Sequence, residues 1–129
     1  MVAWSNIVQV LGIRHGLQAR DYALTDDYSL ATFFDNFDFF SSHDPTNGFV
    51  RYQTGEAATS AGLILTKPDA AEVHVDARDV APAGRGGVRL ESKRSYDSGL
   101  VIIDVKHMPG GICGVWPALW MLGPEWPTK

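Results

Sequence analysis

The chain has 129 residues, a formal charge of −4, 45% hydrophobic and 20% charged residues, a balance that fits one globular domain and excludes an extended disordered chain. The mild acidity argues against a nucleic-acid partner, which would need a basic face. No run of residues is long and apolar enough to span a membrane.

The first residues form an apolar run from Val2 to Ile13, broken by Ser5, Asn6 and Gln9 and followed by Arg14 and His15. No basic residue precedes it, so residues 1–19 make a poor leader of the signal-peptide kind, with Leu17-Gln18-Ala19 as the small-residue cleavage candidate. From residue 20 to 129 no linker, repeat or low-complexity tract interrupts the chain. All six Phe residues lie between Phe33 and Phe49, and residues 33–40 alternate aromatic with polar around Phe37 and Phe39, the period of a strand. Asp44-Pro45-Thr46-Asn47-Gly48 is a turn, because Pro fixes φ and Asn-Gly accepts positive φ. A strand follows at residues 49–52. Residues 57–65 read either as a short helix or as a loop entering a strand at residues 63–65.

Residues 73–76 alternate again, residues 81–87 form a Gly- and Pro-rich turn, and residues 88–92 alternate as a half-buried strand. The β-branched run at residues 100–105 predicts a strand buried on both faces. Short strands separated by turns, with thirteen Gly and seven Pro, predict an all-β sandwich. Such sandwiches with a glycan cleft commonly run to roughly 200–250 residues, so the domain reads as incomplete.

The C-terminal stretch carries the densest chemistry. Three of the four Trp residues, Trp116, Trp120 and Trp126, fall within it. An indole offers a flat apolar face and one N–H donor, suited to the C–H face of a pyranose; it is equally suited to anchoring a core. The carboxylate pairs at hand (Asp26 with Asp27, Asp35 with Asp38, Asp76 with Asp79) read as solvated turn or strand-face charges, and Glu125 lies in a loop. His43, His74 and His107 lack metal-ligand spacing, so no metal and no cofactor is expected.

Several segments resemble, in order, those of fungal β-1,3(4)-glucanases of glycoside hydrolase family 16. They are residues 22–29, 33–37, 44–52, 84–92 and His107-Met108-Pro109. The sixth is Cys113-Gly114-Val115-Trp116-Pro117-Ala118-Leu119-Trp120 with Gly123, Pro124, Trp126 and Pro127. The resemblance implies a concanavalin-like β-jelly-roll sandwich, of which residues 20–129 would be the N-terminal half. It implies endo-hydrolysis of β-1,3 or mixed β-1,3/1,4-glucan with retention, in an extracellular enzyme. It also implies that Trp116, Trp120, Trp126 and Arg89 bind the glucan.

The family's catalytic Glu pair belongs to a G-E-I-D-I-I-E-G segment expected directly after the Trp-rich run, and no such segment occurs in the 129 residues. The chain alone is therefore expected to lack a catalytic residue. The alternative function is a non-catalytic glucan-binding β-sandwich. A complete domain would be a monomer; half of one would leave strand edges and core faces bare and aggregate. The lone Cys113 is expected, through the same resemblance, to have its disulfide partner in the absent half.

Overall fold

A computed structural model describes residues 2–14, 21–78, 80–111, 113, 114, 116–123 and 125, the first stretch as backbone. The chain folds into strands β1 (Val2–Arg14), β2 (Asp21–Asp27), a 3-10 helix (Leu30–Asn36), β3 (Phe37–Phe39), β4 (Val50–Tyr52), the helix α1 (Gly55–Ser60), β5 (Ile64–Lys67), β6 (Ala70–Val73), β7 (Arg85–Gly87), β8 (Leu90–Ser92) and β9 (Leu100–His107).

The apolar run at the start of the chain supplies the longest described strand and organises the larger sheet. β9 pairs with β1 from Ala3↔His107 to Leu11↔Leu100. β2 pairs with it from Gln9↔Asp27 to Arg14↔Asp21, and β6 at Val2 to Trp4. Since Trp4 faces both β6 and β9, and Leu11 both β2 and β9, β2 and β6 share one edge of β1 and β9 takes the other. A two-residue turn, Pro68-Asp69, closes the β5–β6 hairpin.

The second layer is built from short pairs. β3 and β8 run antiparallel, with Phe37↔Ser92 and Phe39↔Leu90. β4 and β7 run parallel, with Val50↔Arg85 and Tyr52↔Gly87. A core of Tyr28, Leu30, Phe33 and Ala71 lies between the layers, with Phe34, Phe37 and Leu90 packed against it. Ala71 comes from the large sheet and Phe37 and Leu90 from the small one, so this cluster joins the two layers of the sandwich. Rings of Phe33 and Phe37 stand 5.1 Å apart and those of Tyr28 and Phe37 5.4 Å, within the range of favourable tilted pairs. The Tyr28 hydroxyl meets that of Tyr96 at 2.9 Å, and Tyr96 in turn donates to Asp26 at 3.0 Å, which satisfies the polar ends of the buried ring.

Several expectations are corrected. The strand predicted over residues 33–40 begins only at Phe37, because residues 30–36 form 3-10 turns that kink at Thr32 (φ −120, ψ 18), and Leu30 and Phe33, on either side of the kink, are buried. The alternation at residues 73–76 lies after the strand, which ends at Val73; His74 and Asp76 instead donate backbone bonds to Leu63 and Gly86. The turn predicted over residues 81–87 ends at Gly84, and Arg85–Gly87 is a strand. The run at 100–105 is not buried on both faces: Val101 and Ile103 are half-buried while Leu100, Ile102 and Val105 are exposed. Among the described residues β9 pairs with β1 alone, at the edge of the large sheet.

Residues 55–60 are helical, which settles the alternative left open by sequence. Thr54 caps the start by accepting the Ala57 N–H, and Gly62, at φ 68, closes the end while Leu63 N–H reaches the Ala58 carbonyl.

Candidate glucan-binding site

The segment from Arg85 to Ser92 is shared by two neighbours. Its first part pairs with β4 and its last with β3, and each ladder runs one bond further: Gln53 N–H to Gly87 O at 3.0 Å, and Phe40 N–H to Arg89 O at 3.1 Å. The consequence is local. Phe40 and Tyr52, twelve residues apart in sequence, meet edge to face at 5.6 Å beside Arg89.

The Arg89 guanidinium lies 4.4 Å over the Phe40 ring and 6.0 Å from the Trp120 ring, both in the range of cation–π attraction. It bonds Glu91 at 2.7 Å and hydrogen-bonds Tyr52, and its side chain is only 9% exposed. A guanidinium this enclosed needs partners for its charge and its donors. Glu91 and Asp44 supply the charge, and the aromatic rings cover the planar faces. Burial, and then the nearby Asp44 charge, raise the Tyr52 phenol above its ordinary value, against the opposing pull of Arg89.

Asp44 is set by the turn read from the sequence. It is buried, and burial favours its neutral acid; but its carboxylate accepts the Thr46 hydroxyl at 2.8 Å, the Thr46 N–H at 3.2 Å and the Gly48 N–H at 2.8 Å. Together with the Arg89 charge these bonds win, and the group stays below the usual carboxylate range. Asn47 takes φ 58, as the Asn-Gly pair predicted.

Of the four residues proposed to bind glucan, Arg89 and Trp120 are brought together. Trp116 is 77% exposed and Trp120 46%, so neither is enclosed in a core. Trp126 lies outside the described residues. Phe40, Tyr52 and Asp44 were not singled out by sequence as members of this cluster. Their signal is the cross-ladder pairing, which joins Phe40 to Arg89, 49 positions apart, and leaves no local pattern.

A separate open groove is lined by Phe34, Asp35, Phe39, Gly55, Glu56, Thr59, Ser60 and Ile64. Phe39 and Phe40 are successive residues on an extended chain and point to opposite sides, so this groove backs away from the Arg89 cluster. It contains none of the predicted glucan-binding residues. Among the described residues no group of three or more His, Cys, Asp and Glu is placed to hold a metal ion, and no helix is long and apolar enough to cross a membrane.

Residues 37–129 match the family described as XgeA-like, catalytic GH16 domain. The chain belongs to glycoside hydrolase family 16. It is 44% identical over 121 residues to an endo-1,3(4)-β-glucanase of Arthroderma benhamiae, covering 93% of this chain and 26% of that protein. It is 44% identical over 122 residues to an endo-1,3(4)-β-glucanase of Emericella nidulans, covering 91% and 19%, and 40% identical over 111 residues to a probable glycosidase of Schizosaccharomyces pombe. A solved structure of an elongating family 16 β-1,3-glucosyltransferase superposes with a TM-score of 0.77 at 46% identity, over 83% of this chain and 37% of that one. The fold of this GH16 chain is therefore part of a jelly roll, and the chain spans about a quarter or less of the length of these curated relatives.

Proposed function

We propose that this GH16 chain supplies one aromatic wall of the cleft of a retaining endo-β-1,3(4)-glucan hydrolase, and that hydrolysis needs a carboxylate pair that these 129 residues do not carry. The observation that carries the reading is the exposed Trp120 ring beside the enclosed Arg89 guanidinium, in a chain whose relatives are named β-glucanases. Trp116 and Trp120 present flat faces to stack on the C–H face of glucose units, with Trp126 as a third platform. Arg89, bonded to Glu91 and covered by Phe40, steers the indole of Trp120.

The chemistry expected of the complete domain follows from the retaining mechanism. One carboxylate attacks the anomeric carbon while a carboxylic acid about 5–5.5 Å away protonates the leaving oxygen; water, activated by that same group, then releases the sugar. A sugar hydroxyl in place of water gives glucosyl transfer, and the likeness to a β-1,3-glucosyltransferase supports that variation. The extracellular location rests on the family resemblance. The exposed Leu100 and Ile102 on β9 support self-association of the isolated chain.

The test uses the 129-residue chain with laminarin and with barley β-glucan. Binding without release of reducing ends supports the reading. Release above a denatured control contradicts the missing pair, and absence of binding contradicts the aromatic wall. Binding without hydrolysis that persists when the chain is extended through a G-E-x-D-x-x-E segment favours a non-catalytic glucan-binding sandwich instead.

A further inference from the structure

The turn at residues 44–48 holds chemistry that the glucan cluster does not use. An Asn side-chain amide is most open to attack by the next backbone nitrogen when glycine follows, because no side chain stands in the way. Asn47 precedes Gly48, is exposed, and is fixed at φ 58. In such an attack the Gly48 nitrogen loses its hydrogen and bonds to Asn47 Cγ. The amide nitrogen leaves as ammonia, taking up the proton, and a five-membered succinimide remains. Water then opens the ring at either carbonyl, giving aspartate or isoaspartate.

In this fold the attacking nitrogen is engaged. Gly48 N–H donates to Asp44 Oδ2 at 2.8 Å, and the same carboxylate is held by the Thr46 hydroxyl at 2.8 Å and the Thr46 N–H at 3.2 Å. Asp44 is itself buried. The fit is close: a Cβ at Gly48 would stand 2.3 Å from Asp44 Oδ2, so the bond demands glycine at the position that makes Asn47 labile.

We propose that Asn47 is a latent deamidation site of this protein, latched by the Asp44 carboxylate. A nitrogen whose hydrogen is held by an anion is harder to deprotonate and is not free to swing onto the Asn47 side chain. Release of the latch has a structural consequence. Isoaspartate lengthens the backbone by one carbon just ahead of Phe49 and β4, whose Tyr52 meets Phe40 and Arg89. Ageing of the turn would therefore reach the aromatic cluster.

The experiment incubates the full chain at neutral pH, natively and in urea, and follows Asn47 by peptide mass spectrometry and by an isoaspartyl methyltransferase assay. Loss of one charged hydrogen bond predicts deamidation about tenfold faster in urea than in the native chain, and about tenfold faster in native Asp44→Asn than in wild type. Residue 44 cannot itself react this way, because Pro45 has no N–H to lose. Hydrogen exchange of the wild-type Gly48 N–H gives a readout that does not depend on the variant folding, and slow exchange is expected. Equal rates in the native and urea-treated chain, or unprotected exchange at Gly48, overturns the proposal. So does an Asp44→Asn variant that folds and deamidates no faster than wild type.

Discussion

Two aromatic-rich regions of this chain have opposite fates. Of the six Phe residues, the five at 33–40 are buried or half-buried, with Phe33 only 4% exposed between two sheets, while Phe49, in the turn that follows, stays exposed. Trp116 and Trp120 fall in a stretch with no strand among its described residues and stay on the surface. Size and apolarity are similar, so they do not decide the outcome. The difference lies in the backbone. Phe37 sits in a ladder with β8, and Phe33 on a helix that turns against β6, so their rings are delivered to the core between the layers. The described residues of the Trp-rich stretch have no ladder to deliver them inward. Trp120 approaches the Arg89 guanidinium at 6.0 Å.

The comparison breaks first, if it breaks, at Phe33. Phe33→Ala should cost about 3–5 kcal/mol, the loss of a large ring from a filled core, and lower the urea midpoint without changing the slope. A cost as small as that of a surface change would place Phe33 outside the core. Next comes the frame of the Arg89 cluster. Asp44→Ala removes three hydrogen bonds to one carboxylate and should cost about 3 kcal/mol in the same titration.

A third prediction concerns the large sheet. Glu72 on β6 is buried and bonds Lys67 at 2.7 Å and His74 at 3.2 Å. The Lys67 hydrogen bond, opposed by burial, holds its carboxyl below the usual range. A depressed carboxylate contributes stability that is complete above the unfolded value of about 4.3 and is lost as pH falls through the folded value. Melting followed from pH 7 downward should show a loss on the acid side that is smaller in Glu72→Gln. An identical acid profile in the variant would assign the loss to other carboxylates. The smallest effect belongs to the exposed ring: Trp116→Ala should change stability by no more than about 0.5 kcal/mol.

The same contrast explains what could be read from the sequence. The turn at residues 44–48 was legible because Pro45 and Asn47-Gly48 restrict φ locally, and Asn47 adopts the positive φ they require. The sandwich was legible from the spacing of strands and turns. Helix α1 was left open because six residues are too few to display a helical period; the decisive marks were the cap at Thr54 and the glycine at Gly62. Residues 33–36 were misread because the alternation at Phe37 and Phe39 was extended backwards over a segment of short 3-10 turns, kinked at Thr32, that carries too few residues to display a period. The face of β9 was misread because a run of β-branched residues signals strand, whereas burial on both sides depends on a layer that the sequence of the strand cannot specify.

Within the candidate site, Arg89 and the Trp residues came from family resemblance. Phe40, Tyr52 and Asp44 came only from the fold, since two ladders must close before those side chains meet.

The central claim is that Trp120 is a binding ring mounted on a packed frame, not a part of that frame. The direct measurement pairs a titration of the 129-residue chain and its Trp120→Ala variant with laminarin oligosaccharides, read by calorimetry, with urea unfolding of both. The account predicts that the variant loses about tenfold in affinity, the scale of a lost aromatic stacking contact, while its unfolding midpoint stays close to that of the wild type. Unchanged affinity, or a fall in stability as large as that caused by Phe33→Ala, would contradict it.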